Sequence, residues 1–140
     1  MIPLSLYIHF PWCIKKCPYC DFNSYRKDNH FNPEVYIKSL IEDFILDYQR
    51  FAQGRKIQTI FMGGGTPSLF PAIYLQALFD TIRPYLSDSI EITLEANPGV
   101  IEHHAFHDYF SLGINRISLG VQSFNPRHLK ILGRIHSVND

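Results

Sequence analysis

Three cysteines, Cys13, Cys17 and Cys20, stand in a C-x3-C-x2-C run, and the chain has no other cysteine. Thiolates are soft metal ligands, and this spacing brings three of them onto one tight loop. An iron–sulfur cluster ordinarily takes four cysteines. Three therefore suggest a four-iron cluster with one iron open to a further ligand, and an open metal position is where chemistry is done. Lys15 and Lys16 lie between the first two thiols and favour their thiolate forms. Pro11 and Pro18 break helical continuation, so the loop can wrap around a ligand. A disulfide framework does not suit an odd number of thiols with no leader sequence before them. A structural zinc ion would need a fourth ligand, for which His30 or the group His103, His104 and His107 is available.

Further candidates recur along the chain. Gly63-Gly64-Gly65 follows a β-prone run; its glycines either let the backbone approach a ligand or make a tight turn. The run matches neither G-x-G-x-x-G nor the Walker pattern. Glu95 follows an apolar stretch and is either an acceptor of two ribose hydroxyls or an exposed acid at a strand end; Gln122 leans towards the plainer reading. His9 points into the site or is a satisfied core histidine. His103 and His107 are one helical turn apart and within reach of a shared metal, though a solvated helix face is the simpler account. Asp80, Arg83 and the Glu42, Asp43, Asp47 group read as helix surface.

Strand and helix patterns alternate around these residues. Strands are expected over residues 4–10, 57–62, 90–96 and 115–120, and helices over 32–51, 71–85, 102–112 and 126–132. Asn32 and Pro33 form a helix start, with Gly54 at the other end. Four such units imply an α/β fold with a parallel sheet, whose sites form after the C-terminal ends of the strands. The cysteine loop, the triple glycine, Glu95 and Gln122 all fall there. The chain has 140 residues, 46% of them hydrophobic, with 13 basic and 13 acidic residues. That is enough for a packed core, and it lacks the basic footprint of a nucleic-acid binder. No apolar run reaches the roughly 18–20 residues of a membrane span, and thiols grouped for metal suit a reducing cytoplasm.

With the cysteine loop, Gly63-Gly64-Gly65-Thr66-Pro67, Glu95-Ala96-Asn97-Pro98 and Gly120-Val121-Gln122-Ser123-Phe124-Asn125 in this order, the chain resembles radical S-adenosylmethionine (SAM) proteins. It is most similar to the oxygen-independent coproporphyrinogen III oxidase-like family, haem chaperone branch, over nearly all its length. The resemblance implies a partial TIM barrel of about six parallel (β/α) units followed by another domain. About four units are present, so residues 1–140 are expected to be a radical SAM core domain truncated at its C-terminal end, and not fully active alone.

The resemblance also implies roles. Cys13, Cys17 and Cys20 would ligate a 4Fe–4S cluster whose open iron takes SAM, which is cleaved to a 5′-deoxyadenosyl radical. Tyr19 would pack beside the cluster, and Tyr7 would touch the cofactor. Gly64, Gly65 and Thr66 would bind the methionine end and Glu95 the ribose, while Gln122 and Arg134 complete the pocket. A further acid of the family has no counterpart before Asp140. The family's dehydrogenase branch carries a fourth cysteine where this chain has Phe22, and an extension before the first strand. Both departures favour the haem chaperone branch. Its implied ligand is haem, delivered to acceptor proteins, with an electron donor as a further partner; decarboxylation of coproporphyrinogen is the alternative function.

Overall fold

The computed structural model describes residues 2–99 and 103–140, and of His103, His104 and Ala105 only the backbone. The helix start expected at Glu102, and the reading of the His103 and His104 side chains, lie outside the described residues. Elements follow in chain order: β1 (Leu4–Phe10), the two-residue strands β2 (Trp12–Cys13) and β3 (Tyr25–Arg26), α1 (Pro33–Phe51), β4 (Ile57–Gly64), α2 (Ala72–Ile82), β5 (Leu86–Ala96), α3 (His103–Ser111), β6 (Arg116–Leu119) and α4 (Pro126–Ile131).

The main sheet has the order β1-β4-β5-β6, and every neighbouring pair is parallel. Parallel neighbours need a crossover, and here a helix supplies each one. The expected α/β architecture is the observed one. Inward-facing strand residues Ile8, Phe10, Ile60, Met62, Ile92 and Leu94 meet Ile37 and Phe44 of α1 and Leu75, Leu78, Phe79 and Ile82 of α2. The helices bury these faces because their apolar residues recur at three- and four-residue steps.

Many of the aromatic residues pack on one another. Phe10 and Phe70 are fully buried with ring centroids 4.7 Å apart, and Trp12 packs edge-on to Tyr36 at 4.6 Å and to Phe31 at 5.1 Å. Burying each such ring contributes about 1.5–3 kcal/mol. Trp12 immediately precedes Cys13, so this cluster anchors one end of the cysteine loop.

Local chemistry explains the element ends. Asn32 caps α1 by accepting from the Val35 N–H at 3.2 Å, with Pro33 at the first helical position. Beyond α1 the chain turns through two residues with positive φ, Gln53 and Gly54. The helix expected over 71–85 stops at Ile82, and Arg83–Tyr85 winds as a 3-10 turn. Pro84 lies in that turn and has no N–H to give. β5 starts at Leu86, four residues before the expected start, because polar Ser87-Asp88-Ser89 hides it from the apolar pattern. Leu86 pairs with Ile57, and the register then slips before Thr59 meets Glu91.

The β2–β3 pair was not foreseen. Tyr25 N–H donates to Pro11 O (2.6 Å) and Lys27 N–H to Cys13 O (2.8 Å), closing the cysteine loop at its base. Two residues per strand are too few to leave a periodic signal.

Candidate functional site

The loop between β2 and β3 is braced from within. Lys16 Nζ donates to the carbonyl oxygens of Phe22 and Ser24, at 3.2 Å each, and Cys20 N–H donates to Cys17 O at 3.0 Å. All three thiols are free and line one cavity of about 630 Å³. Cys13 is buried and donates to Tyr25 O at 3.4 Å; Cys20 Sγ lies 3.8 Å from the buried Ser24 Oγ. Cys17 Sγ accepts from Arg134 Nη1 at 3.3 Å.

The expectation that both lysines favour thiolates needs correcting for Cys13. Burial pushes its thiol above the usual range, the neighbouring thiols add to this, and Ser24 and Lys16 oppose it only in part. Desolvation outweighs the nearby ammonium group. A bound metal would reverse the balance by favouring the deprotonated ligand.

The opposite wall comes from the strand ends. Gly65 N–H donates to Phe10 O and Thr66 N–H to Trp12 O, both at 2.7 Å, drawing the glycine turn against the base of the cysteine loop. A Cβ on Gly65 would sit 2.5 Å from Trp12 O, so the close approach itself demands glycine. Glu95 Oε2 accepts from Gly64 N–H at 3.3 Å, and burial holds its carboxyl above the usual range against that hydrogen bond. It is a half-buried acid aimed across the strand ends, which the plainer reading did not anticipate. Gln122 also lines the cavity and holds φ at 66°. A non-glycine residue there stores about 1–3 kcal/mol of strain, which surrounding structure must enforce.

Arg134 ties the walls together. Its Nη2 donates to Asn97 Oδ1 (2.5 Å) and Gly120 O (2.8 Å), and its Nη1 faces Cys17 Sγ and Tyr19 Oη (3.5 Å). Its Nε is buried and has no hydrogen-bond partner. Asn97 Nδ2 donates in turn to Thr66 Oγ1 at 3.0 Å. Sequence reasoning gave Asn97, Lys16 and Ser24 no such contacts. Asn97 stood visible in Glu95-Ala96-Asn97-Pro98, whereas Lys16 and Ser24 carry no signal apart from their nearness to the cysteines.

Cys13, Cys17, Cys20, Tyr19, Gly64, Gly65, Thr66, Glu95, Gln122 and Arg134 thus share one cavity. Tyr7 does not line it. Its exposed ring stacks on Phe61 and stands beside Glu95 on the same face of Gly63, where an added Cβ would lie 3.0 Å from Glu95 Oε2 and 3.2 Å from Tyr7 Cε2. His9 is a satisfied histidine: Nε2 faces Asn23 O at 2.8 Å and Nδ1 faces Tyr7 Oη at 3.0 Å. A carbonyl only accepts, so Nε2 carries the proton. His30 sits in an exposed turn on Asp28, and His107 is exposed beside Asp108. Among the described residues no histidine lines the cavity.

Among the described residues, no three His, Cys, Asp or Glu side chains converge on a single-ion spacing. A cluster places each thiolate on a different iron and needs no such convergence. Three free thiols facing one cavity that Glu95, Gln122 and Arg134 also line fit a thiolate-held cluster with room for a further ligand.

The family model of the Radical SAM superfamily matches residues 7–140. The chain is 53% identical over 140 residues to the heme chaperone HemW of Haemophilus influenzae, covering 96% of this chain and 37% of that protein. It is 40% identical over 141 residues to radical S-adenosyl methionine domain-containing protein 1, mitochondrial, of Danio rerio, covering 98% and 31% respectively. Among solved structures, coproporphyrinogen III oxidase (HemN) from Escherichia coli, described as a radical SAM enzyme, superposes with a TM-score of 0.84 at 29% identity. That match covers 96% of this chain and 31% of the other. The chain therefore spans about a third of the length of the proteins it matches.

Proposed function

The chain belongs to the radical SAM superfamily, and on that premise we propose that residues 1–140 are the N-terminal part of a radical SAM core that holds a 4Fe–4S cluster and SAM and serves haem delivery. Its parallel (β/α) units form part of the superfamily's partial barrel. The observation that carries the reading is the single cavity onto which three free thiols and the ends of β4, β5 and β6 all open.

Cys13, Cys17 and Cys20 would hold the cluster. When bound, such a cluster supplies an electron and an iron position left open to the amino and carboxylate groups of SAM. The chain's own residues orient that ligand. Glu95 offers two acceptor lone-pair regions to ribose hydroxyls, Gly64, Gly65 and Thr66 give a surface free of large side chains, and the Arg134 guanidinium lends positive charge to the wall a carboxylate would face. Gln122 and Tyr19 complete the lining, and Tyr7, beside Glu95 over Gly63, would touch the cofactor.

Haem delivery to an acceptor protein is favoured over porphyrin oxidation by Phe22. It is exposed at the cavity, at the position where the dehydrogenase branch has a further cysteine. The relatives named as heme chaperones point the same way. The second reading is coproporphyrinogen III dehydrogenase, favoured by the likeness to the solved oxidase. Free thiols without a disulfide partner suit a reducing compartment such as the cytoplasm, and no helix among the described residues is long and apolar enough to cross a membrane.

Anaerobic reconstitution with iron and sulfide tests the cluster: a brown protein whose reduced EPR signal changes on adding SAM supports it, and a colourless protein with one zinc ion overturns it. Haem transfer to an acceptor without turnover supports the chaperone reading. Conversion of coproporphyrinogen to protoporphyrinogen by the whole protein replaces it with the second.

A further inference from the structure

Asn97 holds together two groups from different elements. Its Nδ2 donates to Thr66 Oγ1 (3.0 Å), in the turn after β4, and its Oδ1 accepts from Arg134 Nη2 (2.5 Å), beyond α4. The carboxamide has one orientation open to it, because a guanidinium only donates and must face the oxygen. Gly120 O accepts from the same Nη2 at 2.8 Å. With Nη2 held twice, Nη1 is left facing Cys17 Sγ at 3.3 Å. The packing is close: a Cβ on Gly120 would come within 2.9 Å of Asn97 Oδ1.

We propose that Asn97 is a positioning residue that aims Arg134 at the Cys17 sulfur, and that through this N–H···S contact the chain sets the reduction potential of the group held by that thiolate. The proposal rests on the cluster reading above. A hydrogen-bond donor and a positive charge beside a ligand sulfur stabilise the state with more negative charge, which is the reduced one. Losing them makes the added electron less welcome and moves the potential negative. Asn97 does not touch the sulfur, so its effect passes through Arg134.

The test is the midpoint potential of the anaerobically reconstituted protein, followed by EPR without SAM, in the wild type, Asn97→Ala, Arg134→Ala and the double variant. The expected result is equal iron and sulfide content throughout and a more negative potential in Asn97→Ala. Arg134→Ala should shift at least as far, and the double variant should match Arg134→Ala alone, since Asn97 then has nothing left to aim. An Asn97→Ala potential equal to wild type overturns the proposal, as does a double variant showing the sum of both shifts. If Asn97→Ala does not load, Asn97→Ser carries the same test, its side chain being too short to span Thr66 and Arg134. A wild-type protein that loads no cluster removes the cluster reading and this proposal together. A loaded wild type with an unshifted Asn97→Ala removes this proposal alone.

Discussion

Glu95, at the end of β5, accepts a hydrogen bond from the backbone N–H of Gly64, at the end of β4, across 3.3 Å. The contact joins the two strand ends and leaves the rest of the carboxylate facing the cavity, where burial raises the cost of ionising it. A binding group is thus held in place at some expense to the folded state.

That expense has a sign. With its native pKa raised above 4.5, Glu95 keeps a proton in the folded chain over a window in which the unfolded chain has released it. Stability from this group is complete below pH 4.5 and lost as pH rises through the raised value. Glu95→Gln should therefore be at least as stable as the wild type at neutral pH and lack this slope in thermal melts across pH 4–7. The same variant should bind SAM about tenfold or more weakly, as expected for losing charged hydrogen bonds worth about 1.5–3 kcal/mol. Unchanged affinity in equilibrium dialysis removes Glu95 from the site.

Replacing any one of Cys13, Cys17 or Cys20 by alanine should abolish the four-iron cluster, since two thiolates on this loop cannot replace three. Iron and sulfide analysis after reconstitution reads the outcome. A full, SAM-responsive cluster in any single variant refutes that residue as a ligand.

Gly65→Ala should cost about 1–3 kcal/mol, the range for overpacking. The new methyl would meet Trp12 O at 2.5 Å and Phe10 O at 3.0 Å, both backbone atoms that cannot swing aside. Gly54→Ala is the control: φ is +75° but nothing lies within 4 Å, so only the backbone conformation is penalised. Equal losses of Tm in the two variants would contradict the close approach at Gly65.

Tyr109 lies buried with its hydroxyl between Ser68 O (3.0 Å) and Phe70 O (2.9 Å), its single proton bracing the segment that follows the glycine turn. Tyr109→Phe leaves those carbonyls short of a donor and should cost about 1–3 kcal/mol in urea unfolding at pH 7. Burial, with a smaller push from Asp108, raises the phenol from 10.0 to about 12. The native state thus keeps a proton the unfolded chain loses above pH 10, so wild-type stability falls as pH rises towards 12. Tyr109→Phe should not show this component of the fall.

The sequence carried the strands and helices wherever side-chain period and end chemistry agreed. Asn32-Pro33 marked the start of α1, and the apolar runs marked β1 and β4. It failed where a local signal was overridden or too short. Pro84 converted the end of a helix, Ser87-Asp88-Ser89 concealed the start of β5, and β2 and β3 were too brief to show a period.

For the site, residue types and spacing alone determined that three thiolates share a loop without a fourth, and that glycines, Glu95 and Gln122 stand at strand ends. Those are properties of neighbours in the chain and of the side-chain period. Only the tertiary structure decided which of them meet. Arg134 reaches Cys17 across 117 positions and Glu95 reaches Gly64 across 31. Tyr7 of β1 comes to stand beside Glu95 of β5 over Gly63, although the two belong to different strands. Contacts between distant residues depend on the order and register of parallel strands, and no local pattern encodes the distance between two strand ends.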